Sequence, residues 1–162
     1  MVLYFILTAV LIAVDRVIKI WVLDGLAAIG TAEFIKIGDT RIIDLTYVEN
    51  RGAVFGILEG KGMFLTVLMA VLLAGCVFLM VKSFKGSNWL LTLSITLITG
   101  GGAGNLIDRL LYGYVVDYID IALFKFYVFN FADCCVVIGT VLLMLTVFFG
   151  KDDIPFFRES GK

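Results

Sequence analysis

Residues 105–133 open with Asn105-Leu106-Ile107-Asp108-Arg109, continue through Val115-Val116-Asp117-Tyr118-Ile119-Asp120 and close on Asn130-Phe131-Ala132-Asp133. This polar stretch joins two strongly apolar runs. An ionisable group beside hydrocarbon costs free energy unless it has a partner or a task, so the placement of these carboxylates and amides needs a reason. The rest of the chain supplies the hydrocarbon context. Of its 162 residues 61% are hydrophobic and 17% charged, and mean hydropathy is +1.05. Soluble domains run at roughly 45–50% apolar residues with glycine counted. The composition is that of an α-helical integral membrane protein. A net charge of -1 offers no basic surface for nucleic acid. One proline and the absence of low-complexity sequence point to a single domain over 1–162.

Four runs have the roughly 20 apolar residues that a bilayer crossing needs: about 1–23, 62–81, 89–106 and 131–150. They leave an outer segment at 24–61 and an outer loop at 107–130. The first run has no basic leader and carries Asp15, Arg16 and Lys19 inside its apolar stretch, so it is expected to be a retained span and not a cleaved signal. Asp15 and Lys19, four apart, share a helix face and can pair. Lys82 and Lys85 occupy a short loop without acids, which makes that loop cytoplasmic by the positive-inside rule. Lys151, Arg158 and Lys162 at the end of the chain agree. The acidic loops then face outward.

Within the outer segment, Arg41 to Asn50 is rich in Ile, Leu, Thr, Tyr and Val and reads as a half-buried strand. Asn50-Arg51-Gly52 supplies turn residues before a second run, Ala53 to Leu58. A small extracytoplasmic sheet or hairpin on the membrane surface is expected, as a cap or as an edge for an extended substrate. Gly100-Gly101-Gly102-Ala103-Gly104 lacks both a Walker pattern and a preceding strand, so it reads as close helix packing and not as a phosphate loop.

Elimination narrows the chemistry. The chain has no His, which excludes Ser-His and Cys-His nucleophile pairs and His-based zinc sites. Cys76, Cys134 and Cys135 lie in apolar runs, where thiols behave as small hydrophobes. No ligand cluster calls for a metal, and no cofactor is expected. Carboxylates remain. Two of them in a poorly solvated cleft cannot both ionise, so they share a proton, and one can activate water while the other donates to a carbonyl. Asp117 and Asp133 are the candidate pair. Asp108, beside Arg109, is expected to be a structural ion pair or a helix-end charge, and Asp120 is either solvated or supporting. A four-span transporter using Asp15, Asp108, Asp117 and Asp133 as a proton or cation relay is the competing reading. It would spread acids through the membrane depth, whereas most of these cluster at one face.

The blocks Asp15-x-x-x-Lys19, Asn50-Arg51-Gly52-Ala53-Val54-Phe55, Gly104-Asn105-x-x-Asp108-Arg109, Val115-Val116-Asp117-Tyr118 and Phe129-Asn130-x-Ala132-Asp133 together resemble lipoprotein signal peptidase, also called signal peptidase II. The resemblance covers nearly the whole chain in order. It implies an aspartic endopeptidase of the bacterial inner membrane that cleaves a prolipoprotein just before a Cys carrying diacylglycerol, with its site near the outer face. Asp117 and Asp133 align with the catalytic dyad. Asn50, Gly52, Asn105, Asp108, Arg109, Asn130 and Ala132 match positions that bind substrate or support the site, and Asp15 and Lys19 match the first-span motif. The resemblance further implies a substrate-clamping sheet in the outer segment and a mobile surface helix around Tyr112 to Asp120. Membrane phospholipid as surroundings, inhibition by globomycin and a monomeric state are also expected. Cys134 stands where Ser is common, exchanging a hydroxyl for a weaker hydrogen-bonding thiol.

Overall fold

The computed structural model describes residues 2–52, 61–83 and 89–149. Four long helices carry the fold: α1 (Val2–Trp21), α3 (Gly62–Ser83), α4 (Trp89–Tyr112) and α5 (Phe131–Phe149). α1 continues through a π turn, Val22–Leu26, into the short α2, Ala27–Ile29. Strands β1 (Thr31–Ile37) and β2 (Thr40–Asn50) follow α2, and β3 (Val115–Ile121) lies between α4 and α5.

Among the described residues three helices are long and apolar enough to cross a membrane: α3, α4 and α5. α1 is of comparable length but places Asp15, Arg16 and Lys19 in its last two turns. α4 is the centre of the bundle and packs on α1, α3 and α5. Its buried hydroxyls are satisfied within the helix, since Ser94, Thr96 and Thr99 donate to the carbonyls of Leu90, Thr92 and Ile95 at 2.6–2.7 Å. With no water to compete in such surroundings, a hydroxyl must find a local acceptor. Glycine sets the helix spacing. A Cβ on Gly101 would run into the Ala132 carbonyl, and one on Gly139 would lie 2.8 Å from the Ser94 carbonyl. The α4 and α5 backbones therefore touch directly, the packing expected from the glycine run.

The sheet has the order β1-β2-β3 and is antiparallel throughout. Gly38, at φ 59°, makes the tight turn between β1 and β2. Gly113, at φ 78°, ends α4 by donating its N–H to the Arg109 carbonyl at 3.1 Å. The sheet packs on the π turn through Val116 and Tyr118, which share a buried cluster with Val22 and Leu26.

Two expectations change here. The residues around Tyr112 to Asp120 contain no surface helix: they end α4 and then form β3, because Val115-Val116-Asp117-Tyr118-Ile119 is β-branched and aromatic and finds β2 as a partner. The partner of β2 within the outer segment is β1, which the sequence reading left unassigned. The run Ala53 to Leu58, expected to be the second strand, lies outside the described residues, as do Lys85 and the basic residues after Gly150.

Candidate active site

β3 and the start of α5 bring Asp117 and Asp133 to one asparagine. Asn130 precedes α5, and its side-chain oxygen accepts from the Asp133 N–H at 3.0 Å while Asp133 Oδ2 accepts from the Asn130 N–H at 3.1 Å. This reciprocal cap satisfies two of the amides that a helix start leaves open. The Asn130 amide nitrogen then donates to Asp117 Oδ1 at 2.7 Å. One side chain thus caps the helix that carries Asp133 and holds Asp117.

The remaining oxygens have partners of their own. Asn50 donates to Asp117 Oδ2 at 2.9 Å, and Asn105 donates to Asp133 Oδ1 at 2.7 Å. The register of β2 explains the reach of Asn50. Leu45 pairs with Ile119 but Val48 pairs with Asp117, so β2 carries one extra residue between these pairs. Such a bulge re-aims the strand and brings Asn50 beside Asp117. Asn50 Oδ1 also accepts from the Gly52 N–H at 3.0 Å, and the Gly52 carbonyl accepts from Arg109 at 2.7 Å. Ala132 is fully buried, with its carbonyl where a Cβ on Gly101 would fall and its own Cβ in contact range of one on Gly104.

Beneath the amides lies a charged quartet. Lys19 pairs with Asp15 at 3.1 Å and with Asp108 at 2.7 Å, and Arg16 pairs with Asp15 at 3.2 Å and with Asp108 at 2.5 Å. Two acids and two bases balance, which is how a nearly water-free interior tolerates ions. Asp108 is therefore an ion pair with α1 and not with its neighbour Arg109, because a helix turns about 100° per residue and sends the two side chains apart. Asp108 Oδ2 also accepts from the Val116 N–H at 3.1 Å, which fixes the strand just before Asp117. Lys19 donates to Asn105 Oδ1 at 2.8 Å. The quartet thereby touches both carboxylate supports.

Asp117 is almost completely buried. Burial, reinforced by the negative charge of Asp133, pushes its pKa up from 3.8 to about 7, against the opposing hydrogen bonds from Asn50 and Asn130 and the charge of Lys19. A carboxyl that titrates near neutrality, next to a second carboxyl, is suited to moving protons. Asp120 lies farther along β3, where it accepts from the Thr46 hydroxyl at 3.1 Å and faces Asp44 across the strands. The thiols of Cys76, Cys134 and Cys135 are free. Arg16 and the Val116 amide were missed as members of this site. Arg16 had a signal, a third charge inside an apolar helix that needs its own partner, whereas a backbone amide has none in sequence.

Comparison with known proteins agrees with this architecture. The family model for signal peptidase (SPase) II matches residues 7–149. Lipoprotein signal peptidase of Clostridium acetobutylicum is 39% identical over 157 residues, covering 95% of this chain and 96% of that protein. The enzyme of the same name from Clostridioides difficile is 40% identical over 148 residues, covering 91% and 95%. Two solved structures of a bacterial membrane enzyme superpose with TM-scores of 0.79 and 0.75, at 27% and 28% identity. They cover 100% and 92% of this chain and 95% and 94% of their own. Residues 7–149 hold the quartet, the three asparagines and both candidate aspartates, and on that match the chain belongs to the signal peptidase II family of aspartic peptidases.

Proposed function

We propose that this protein removes the signal peptide from diacylglyceryl-modified prolipoproteins, cutting just before the lipidated Cys, with Asp117 and Asp133 as the catalytic dyad. The observation that carries the reading is the pairing of both carboxylates on Asn130, one through its side chain and the other through the helix cap. The family assignment supports prolipoprotein substrates and takes the place of the proton-relay reading.

The dyad holds one proton between its two carboxyls at neutral pH, since Asp117 titrates at about 7. The ionised partner takes a proton from water as that water attacks the scissile carbonyl. The protonated carboxyl donates to the carbonyl oxygen, and the proton taken from water passes to the leaving amine as the intermediate collapses. Asn50, Asn105 and Asn130 aim the oxygens, Lys19 holds Asn105, Asp108 holds β3, Asp15 and Arg16 complete the charge balance of that quartet, and Arg109 holds Gly52. α1 is the fourth span of a single-domain, monomeric enzyme in the bacterial inner membrane. Its site sits near the outer face, where a substrate keeps about 0.8 kcal/mol for each methylene left in hydrocarbon. Globomycin-type inhibitors occupy the same cleft.

The test is cleavage of a synthetic diacylglyceryl prolipoprotein peptide by the purified protein and by its Asp117→Asn and Asp133→Asn variants. Cleavage before the lipidated Cys that disappears in both variants, with folding in detergent unchanged, supports the reading. Turnover by either variant at the parent rate removes that residue from the dyad.

A further inference from the structure

Between β3 and α5 the chain makes a loop whose base is fixed and whose tip is exposed. The base is a bridge in which Ile119 and Phe129 exchange hydrogen bonds at 2.7 and 3.0 Å. The Ala122 N–H ties the loop to the Ile42 carbonyl of β2 at 3.0 Å. Beyond these ties Leu123, Phe124, Phe126 and Tyr127 are 53%, 59%, 49% and 56% exposed. Phe126 meets Phe124 and Phe129 edge-on, with ring centroids 6.2 and 5.9 Å away, so the aromatic tip is held in a defined shape. Ile35 and Ile37 of the adjoining hairpin, 40% and 71% exposed, extend this apolar rim across the same end of the sheet.

An apolar rim of this kind marks a contact surface, and its position says with what. The bridge residue Phe129 lies just before Phe131, the first residue of a helix apolar enough to cross a membrane. The base of the rim therefore lies at the entry end of α5. The rim's residue types fit the headgroup boundary, where aromatic rings settle and lysine reaches from an apolar stem to phosphate. Lys125 sits between the two phenylalanines, beside a groove of about 880 Å³ that also takes in Arg41, Asp44 and Asp120. Arg41 pairs with Asp44, and with Lys125 and Asp120 the groove holds two bases and two acids among apolar lining residues, so its charge is balanced.

We propose that the loop Ala122–Tyr127 is a bilayer anchor: Leu123, Phe124 and Phe126 enter the leaflet around the start of α5, with Lys125 at the phosphate level. The anchor fixes the depth of β3, and with it Asp117, relative to the membrane. It rests on α5 being a span but not on the peptidase reading.

The experiment uses the full chain in phospholipid vesicles, with Trp21 and Trp89, the two tryptophans of the sequence and both exposed, changed to Phe. A single reporter is introduced by Phe124→Trp, and by Phe148→Trp on the exposed side of α5 as the control. Blue-shifted emission from the Phe124→Trp reporter, quenched by phospholipid brominated on its acyl chains and little by acrylamide, is the expected result. Strong acrylamide quenching with no response to brominated lipid, while the control responds, overturns the anchor. Shielding from both quenchers that grows with the protein-to-lipid ratio assigns the rim to a second copy and overturns it too. A control that brominated lipid fails to quench refutes the span on which the anchor depends.

Discussion

Lys19 Nζ donates to Asn105 Oδ1 at 2.8 Å, and both side chains are buried. Because the same oxygen also accepts from Asn130 at 3.1 Å, the Asn105 amide can turn only its nitrogen toward Asp133, where it lies 2.7 Å from Oδ1. A charge on α1 thus sets the polarity of an amide on α4 and the aim of a carboxylate on α5. Replacing Lys19 with Met leaves Asp15 and Asp108 with Arg16 alone. Breaking a buried pair in this way costs about 3–5 kcal/mol. We expect a lower thermal unfolding midpoint in detergent, and a fall in kcat that exceeds any change in KM. An unchanged midpoint would show that the quartet does not hold the bundle.

Asn130→Ala removes the donor to Asp117 and the acceptor for the Asp133 amide in one change. The loss of a positioned hydrogen bond at a reacting group costs roughly a hundredfold in rate or more. Loss of a helix cap costs a further ~1 kcal/mol in stability. Cleavage assays on Asn130→Ala should show both effects, whereas Asn50→Ala, which removes a donor to Asp117 but no cap, should lower the rate with a smaller change in unfolding midpoint. Equal destabilisation by the two variants would refute the capping role.

Stability should depend on pH through Asp117. Its pKa rises from 3.8 to about 7 on folding, so the folded protein holds a proton that the unfolded chain has released between those values. Its contribution is complete below 3.8, declines as pH rises through that window and is spent above about 7. If Asp117 belongs to the proposed dyad, loss of the same proton should lower kcat/KM on the alkaline side of about 7. Unfolding midpoints measured across this window should fall less steeply for Asp117→Asn than for the parent. Parallel slopes would place the titrating group elsewhere.

Glycines in α4 differ sharply in what they tolerate. A Cβ on Gly104 would lie 2.5 Å from Asp15 Oδ2, whereas one on Gly102 meets only Leu73 Cδ1 at 3.4 Å. Overpacking typically costs about 1–3 kcal/mol. Gly104→Ala should lower both the unfolding midpoint and the rate by pushing Asp15 out of the quartet, and Gly102→Ala should be near neutral. Comparable midpoints for the two variants would argue against direct contact of the Gly104 backbone with Asp15.

Sequence alone determined whatever depends on local spacing. Hydropathy over about 20 residues located the apolar helices, because a bilayer sets that length by itself. The four-residue step from Asp15 to Lys19 announced an ion pair, because the helix repeat brings those positions together. The absence of His and the placement of every Cys in an apolar run left carboxylates as the available chemistry. Tertiary structure alone decided the partners that lie far apart in the chain. Asp108 has Arg109 beside it in sequence, but the pairing of α1 with α4 gives it Arg16 and Lys19 instead. Val115 to Ile121 carried the composition of a strand, yet a strand is stable only with a neighbour, and that neighbour, β2, enters from the far side of α3 and α4. The extra residue in β2 that brings Asn50 to Asp117 has no mark in composition, since register is fixed only when two strands meet.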